Sequence, residues 1–185
     1  MPPMRADARR NYERLIAVAA EVVSEQGAEA SMEEIARRAE VGSATLHRHF
    51  GGRQALLEAV FLSSIDAVCA EAEKLLERPN RGQSLAKWLH SMVRHATANR
   101  GLGAALTMSA EVGSDCHDRI RTAGDRLLRG ARAQGSVRES VKIDDLLKLV
   151  NAISLASERD TAQADRLLDL VLAGAMRAPA PREGE

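Results

Sequence analysis

A chain of 185 residues with 45% hydrophobic but only 2% aromatic residues allows one or two small domains and a sizeable core, and its Ala, Leu, Arg and Glu favour helix over sheet. Lys+Arg 26 against Asp+Glu 26 leaves a formal net charge of +0, which excludes a small protein whose whole surface is a basic nucleic-acid footprint. The N-terminus has no apolar signal core and the uncharged run 101–110 is far too short to span a bilayer, so a cytoplasmic location is expected, with Cys69 and Cys116 reduced and structural.

In chain order, Arg5, Arg9, Arg10 and Arg14 crowd an N-terminal arm against only Asp7 and Glu13, and a first helix carries Leu15 and Ala19 towards Gly27. Ser31 and Glu34 have capping-box spacing: the serine oxygen accepts the N–H three residues on, and the glutamate reaches back. A second helix therefore starts there, with Ile35 and Ala39 inward, Arg37 and Arg38 in water, and Glu33 and Glu34 in the first turn where the dipole favours them. Glu40-Val41-Gly42 interrupts the pattern before residues 44–50 resume it, with Leu46 and Phe50 facing inward. A helix, a glycine-containing turn and a second helix of about two turns make a helix-turn-helix, the device that carries a DNA-reading helix.

A long helix is predicted over residues 53–77, stopped by Pro79-Asn80-Arg81-Gly82. Ser84 is expected to cap a helix bearing Leu85, Trp88, Leu89, Met92 and Val93, which Gly101 and Gly103 break. A short apolar segment, 102–108, precedes Gly113. Ser114 or Asp115 is expected to cap the next helix, carrying Ile120, Leu127 and Leu128 towards Gly135. Residues 142–157 and 161–176 form a final helix pair, and the proline-rich, charged stretch 178–185 is expected to be disordered.

The ordered set Leu15, Ala19, Gly27, then Ser31-Met32-Glu33-Glu34-Ile35-Ala36, then Val41 to Phe50, then Ala55-Leu56-Leu57, resembles the TetR family of one-component bacterial transcription regulators over residues 14–59. Glu40 stands where that family often has glycine, Ser43 where lysine is frequent, and His47 where tyrosine is usual. The segments Asn99 to Leu106 and Arg132 to Gly135 resemble an SbtR-like subgroup of C-terminal ligand domains. The resemblance implies an all-α fold of about nine helices, with an arm and helix-turn-helix domain over residues 1–52, an effector-binding and dimerisation domain over 53–177, and a tail over 178–185. It implies a repressor released from a palindromic operator by a small hydrophobic or amphipathic effector, with no cofactor.

By match to the motif, Ser43, Ala44, His47 and Arg48 lie on or near the groove face of the reading helix. Arg48 is the candidate for reading a base, since guanidinium pairs bidentately with guanine; His47 would meet base or phosphate. Thr45 and Arg53, with Arg9, Arg10 and Ser31, complete the expected DNA-binding set. The resemblance also implies an effector cavity, for which Trp88, Met92, His95, Leu102, Leu106 and Met108 are the candidates, Met92 lying one turn beyond the only tryptophan. Apolar faces on the last two helices, represented by Leu146, Leu147, Val150, Ile153, Leu167, Leu168 and Val171, would form a four-helix bundle in a homodimer, or else complete the subunit's own core.

Metal and enzyme readings are weaker. His47 and His49 are two apart on a helix and point in different directions, and Asp115-Cys116-His117-Asp118 has no recognised zinc spacing, although a loop there could converge its ligands. No nucleophile–base pair, phosphate loop or paired-carboxylate signature occurs, so no enzyme is expected. The rival from another class is a helical interaction module that has lost DNA binding, which would have no salt-dependent DNA affinity.

Overall fold

The computed structural model describes residues 3–99, 110–158 and 160–176. Among them are eight α-helices: α1 (Pro3–Gln26), α2 (Met32–Arg38), α3 (Ser43–Phe50), α4 (Arg53–Leu76), α5 (Arg81–Ala98), α6 (Ala110–Ala133), α7 (Ile143–Ala156) and α8 (Thr161–Ala175). A 3-10 turn at Gly27–Glu29 and one isolated bridge between Val137 and Met176 are the other regular features. The all-α expectation therefore holds, while the predicted segment 102–108 and the tail lie outside the described residues.

Two helix starts differ from the sequence reading. The side chain of Asn80 accepts the Gln83 N–H at 3.0 Å, so α5 begins at Arg81 rather than at Ser84. Pro79 ends one helix and Asn80 immediately caps the next, which leaves Ser84 inside α5 with its buried hydroxyl donating to the Leu75 carbonyl at 2.9 Å. Ser114 and Asp115 are likewise interior to α6, which starts at Ala110, so neither caps it. The cap of α8 is Asp160, which accepts the Gln163 N–H at 2.9 Å.

The chain divides into two compact units. The first holds α1, α2, α3 and α4 as far as Ile65, around Leu15, Ala19, Val22, Ile35, Leu46, Phe50, Leu56 and Val60, all buried. The 3.6-residue period of these positions places one face of each helix in a shared core. The turn between α2 and α3 is a Schellman motif: Val41 N–H donates to Ala36 O at 3.0 Å and Glu40 N–H to Arg37 O at 3.2 Å. Its left-handed position is Glu40, with φ +54°. An L-residue there brings Cβ against the following carbonyl, a strain glycine lacks.

The second unit holds α4 from Asp66, α5 to Thr97 and the chain from Gly113. Trp88 is fully buried at its centre and donates its indole N–H to Val68 O at 3.1 Å, so its one polar group is satisfied. Gly124 of α6 faces the ring: a Cβ there would stand 2.7 Å from Trp88 and 2.6 Å from Ile143. Asp66 and Glu73 of α4 meet Arg119 and Arg126 of α6, seven residues apart on both helices, so these helices run in the same direction. His90 of α5 lies between Asp165, at 2.8 Å, and Asp169, at 3.1 Å, on α8, and Arg94 also holds Asp165 at 3.0 Å. Burial raises the Asp165 pKa, but the bonds from His90 and Arg94 outweigh it and hold the carboxyl below its ordinary value.

The final helix pair contributes to the core of the single chain. Leu146, Val150, Ile153 and Leu168 are buried within the single chain, and Leu147, Leu167 and Val171 are half-buried against the same core. The first four are therefore enclosed within the subunit, and the other three keep part of their surface open. The outer face carries Leu149, Leu155 and Leu170, exposed at 40%, 52% and 72%.

Two substitutions test this packing. Gly124→Ala forces the new methyl into Trp88, and urea denaturation should show a loss of about 1–2 kcal/mol despite alanine's better helix propensity. Glu40→Gly removes the left-handed strain, and the same measurement should show a gain of about 0.5–1 kcal/mol.

Candidate nucleic-acid interface

The reading helix is built from the core outwards. Leu46 and Phe50 are buried, and the positions rotated away from them, Ser43, Ala44, His47 and Arg48, are all exposed. At spacings of one, four and five residues these four share one face. Four of the predicted contact residues therefore stand together. Arg48 makes no ion pair among the described residues, so its guanidinium is available to an outside acceptor. Thr45 is half-buried beside them. The helix starts from Gly42, which supplies no side-chain cap, and ends at Gly51 in the left-handed region, φ +69°, with the Gly51 N–H donating to His47 O at 2.7 Å.

The remaining predicted residues are more committed to the protein itself. Ser31 is exposed, and its hydroxyl oxygen accepts the Glu34 N–H at 3.1 Å, which is one half of the capping box. The other half is displaced: the Glu34 carboxylate is taken by Arg37 at 2.8 Å and Arg38 at 2.7 Å, three and four residues on. Arg53 donates to Ala30 O at 3.3 Å and lies 3.7 Å from Glu29, so its charge is partly tied to the preceding turn. Arg9 is exposed and paired with Glu13 at 2.9 Å, and Arg10 is exposed beside it.

Sequence reasoning missed the contacts that aim the reading helix. Tyr12 of α1 stacks on Phe50 with ring centroids 5.1 Å apart, and Asn11 lies 3.4 Å from His49 while accepting from Arg14 at 3.3 Å. These pairs are 38 residues apart in sequence, beyond the reach of any local pattern. The scarcity of aromatics, with one Tyr and two Phe in the chain, was the only available signal. Arg38 performs the corresponding task for α2, bridging Glu34 and Glu25 of α1, the latter at 2.6 Å.

Of the effector candidates, Trp88 and Met92 are buried in the second core and His95 is half-buried, its pKa pushed down by burial. Leu102, Leu106 and Met108 lie outside the described residues. Burial raises the pKa of both Cys69 and Cys116, which keeps them as thiols at neutral pH. Asp115, Cys116, His117 and Asp118 follow one another on α6, where successive side chains fan out around the axis instead of converging as a loop would permit. No group of three or more His, Cys, Asp or Glu able to hold a metal occurs among the described residues.

The Arg37 and Arg38 hydrogen bonds hold the Glu34 carboxyl at about 2, against an ordinary 4.5. A depressed folded pKa stabilises above the unfolded value and is lost as pH falls through the folded one. Unfolding free energy compared with a Glu34→Gln variant should therefore differ most above pH 4.5 and converge towards pH 2.

Comparison with known proteins agrees with this geometry. The family model for bacterial regulatory proteins of the tetR family matches residues 15–60, and that for the C-terminal domain of SbtR-like transcriptional regulators matches residues 80–177. A TetR transcriptional regulator of Streptomyces coelicolor is 35% identical with a TM-score of 0.77, over 90% of this chain and 99% of that one. A TetR regulatory protein of Mycobacterium vanbaalenii is 31% identical with a TM-score of 0.77, over 95% and 100%. At 24% identity, a Thermus thermophilus regulator with a TM-score of 0.61, covering 89% of this chain and 100% of its own, shares the fold. No curated protein matches the chain. No helix among the described residues is long and apolar enough to cross a membrane. A helix-turn-helix with an exposed reading face, followed by a helical second unit and matched along nearly its whole length, identifies the chain as a member of the TetR family of transcriptional regulators.

Proposed function

We propose that this protein is a dimeric, sequence-specific repressor that leaves its operator when a small hydrophobic or amphipathic molecule binds the second unit. The observation that carries the DNA-reading part is the exposed face of Ser43, Ala44, His47 and Arg48 over buried Leu46 and Phe50. Arg48 reads a base through its two parallel N–H donors, while Ser43, Thr45 and His47 set the register on phosphate or neighbouring bases. Arg9 and Arg10, on the exposed surface of α1, add backbone charge contacts. Ser31 and Arg53 contribute through the helix starts they hold, with Arg53 retaining part of its charge for a phosphate.

Dimerisation is supported by the outer face of α7 and α8. Of the four large apolar side chains exposed among the described residues, three are Leu149, Leu155 and Leu170. Ala152, Ala156, Ala173 and Gly174 are exposed on the same two helices, and such small residues allow helix axes to approach closely. Two copies of the pair would make a four-helix bundle about a two-fold axis and present two reading heads to a palindrome. The effector would act by preferring one spacing of those heads, so DNA and effector weaken each other reciprocally.

Selection from a random duplex pool by the purified protein tests the reading. Recovery of a palindrome whose affinity falls on the order of tenfold to a hundredfold in Arg48→Ala, at fixed salt, is the expected result. Enrichment of no sequence, or equal affinity of the variant, would remove Arg48 and the reading helix from the function.

A further inference from the structure

The second unit contains a charged recess that DNA reading leaves unused. Where α4 ends and α5 begins, two openings of about 450 Å³ and 380 Å³ share Leu75, Arg78 and Lys87 in their walls, so they form one cleft. Lys74 joins the second opening, as does the half-buried Glu71. Three cations therefore face a single carboxylate.

Several arginines of this unit are already neutralised within the chain. Arg94, Arg119, Arg121, Arg126 and Arg129 are each paired with an Asp or Glu. By contrast, Lys74, Arg78 and Lys87 make no ion pair among the described residues. Lys74 lies in the last turn of α4 and Arg78 two residues beyond its end, where the helix dipole favours cations, and that accounts for their presence as individuals. It does not account for Lys87, which comes from α5 and adds like-charge repulsion to the same recess. Gathered cations around a concave space are neutralised by an anion that enters it.

The size of the recess decides between kinds of anion. It falls within the roughly 300–1,000 Å³ typical of small-molecule sites. A long polyanion would need the charge to continue along the surface, yet Glu77, exposed and one residue past the end of α4, directly precedes Arg78 in the chain. Buried Leu75 offers apolar surface in both openings, and exposed Pro79 adds to it in the larger one, for the uncharged part of a ligand. We propose that this cleft binds a small phosphorylated molecule, with Arg78 gripping the phosphate oxygens and Lys74 and Lys87 neutralising the charge from either side. The site is separate from the reading helix and does not require the operator mechanism proposed above.

Pyrophosphate is the probe, titrated into the full chain by calorimetry at constant ionic strength, with backbone amide NMR locating the site. Saturable binding is expected, with shifts clustered at residues 71–87. The Arg78→Gln/Lys87→Gln double variant should weaken it at least roughly tenfold, as befits loss of charge-assisted contacts. Arg129→Gln, which removes a paired surface arginine, should leave it unchanged. Heat that never saturates, shifts elsewhere, or affinity indifferent to the double variant would overturn the site. Circular dichroism establishes that the variants are folded, and their operator affinity, measured separately, keeps failure of this site distinct from failure of the repressor reading.

Discussion

An eight-residue helix is too short to be stable by itself in water, so α3 exists only because Leu46 and Phe50 are held in the first core. That burial fixes the rotation of the helix as well as its presence. With two positions pinned inward, the rest of the surface is determined: Ser43, Ala44, His47 and Arg48 must face water. Tyr12 against Phe50 and Asn11 beside His49 secure the far end, and Gly51 in the left-handed region permits the abrupt turn that follows. A change in any of these would act on DNA reading without touching DNA.

The long α4 belongs to both cores, contributing Leu56, Leu57 and Val60 to the first and Val68, Ala72 and Leu75 to the second. A domain limit drawn at residue 52 therefore marks a turn in the chain, whereas the packing changes hands midway along a continuous helix. The second core is closed around Trp88, and three of the polar side chains in it are answered locally: the indole by Val68, Ser84 by Leu75 and Thr97 by Val93. Buried polar groups left unpaired would be costly, and these pairings let small polar residues sit inside an otherwise apolar centre.

Much of this was legible because helices advertise themselves through period and punctuation. The capping serine, the inward Ile35, Leu46 and Phe50, and the long helix ending before Pro79 all follow from local chemistry. What failed did so where two local signals compete. Asn80 and Ser84 are both good caps, and the one directly after the proline won. Glu34 had two available partners, and arginines three and four residues ahead displaced the backbone N–H behind it. The apolar stripe of α7 and α8 does not by itself say against what it packs; within the chain Leu146, Val150, Ile153 and Leu168 are enclosed in their own core, one of the two arrangements the sequence allowed. The charged cleft between α4 and α5 combines residues whose individual positions looked like ordinary solvated surface.

The solitary, fully enclosed Trp88 also makes this protein its own spectroscopic instrument. All indole emission originates in the second unit, from a ring shielded from water and hydrogen-bonded to Val68, so its wavelength reports the integrity of that unit alone. The first unit is silent to this probe. Fluorescence followed beside far-ultraviolet dichroism, which sees both units, would separate their unfolding whenever the two do not melt together, with no label introduced.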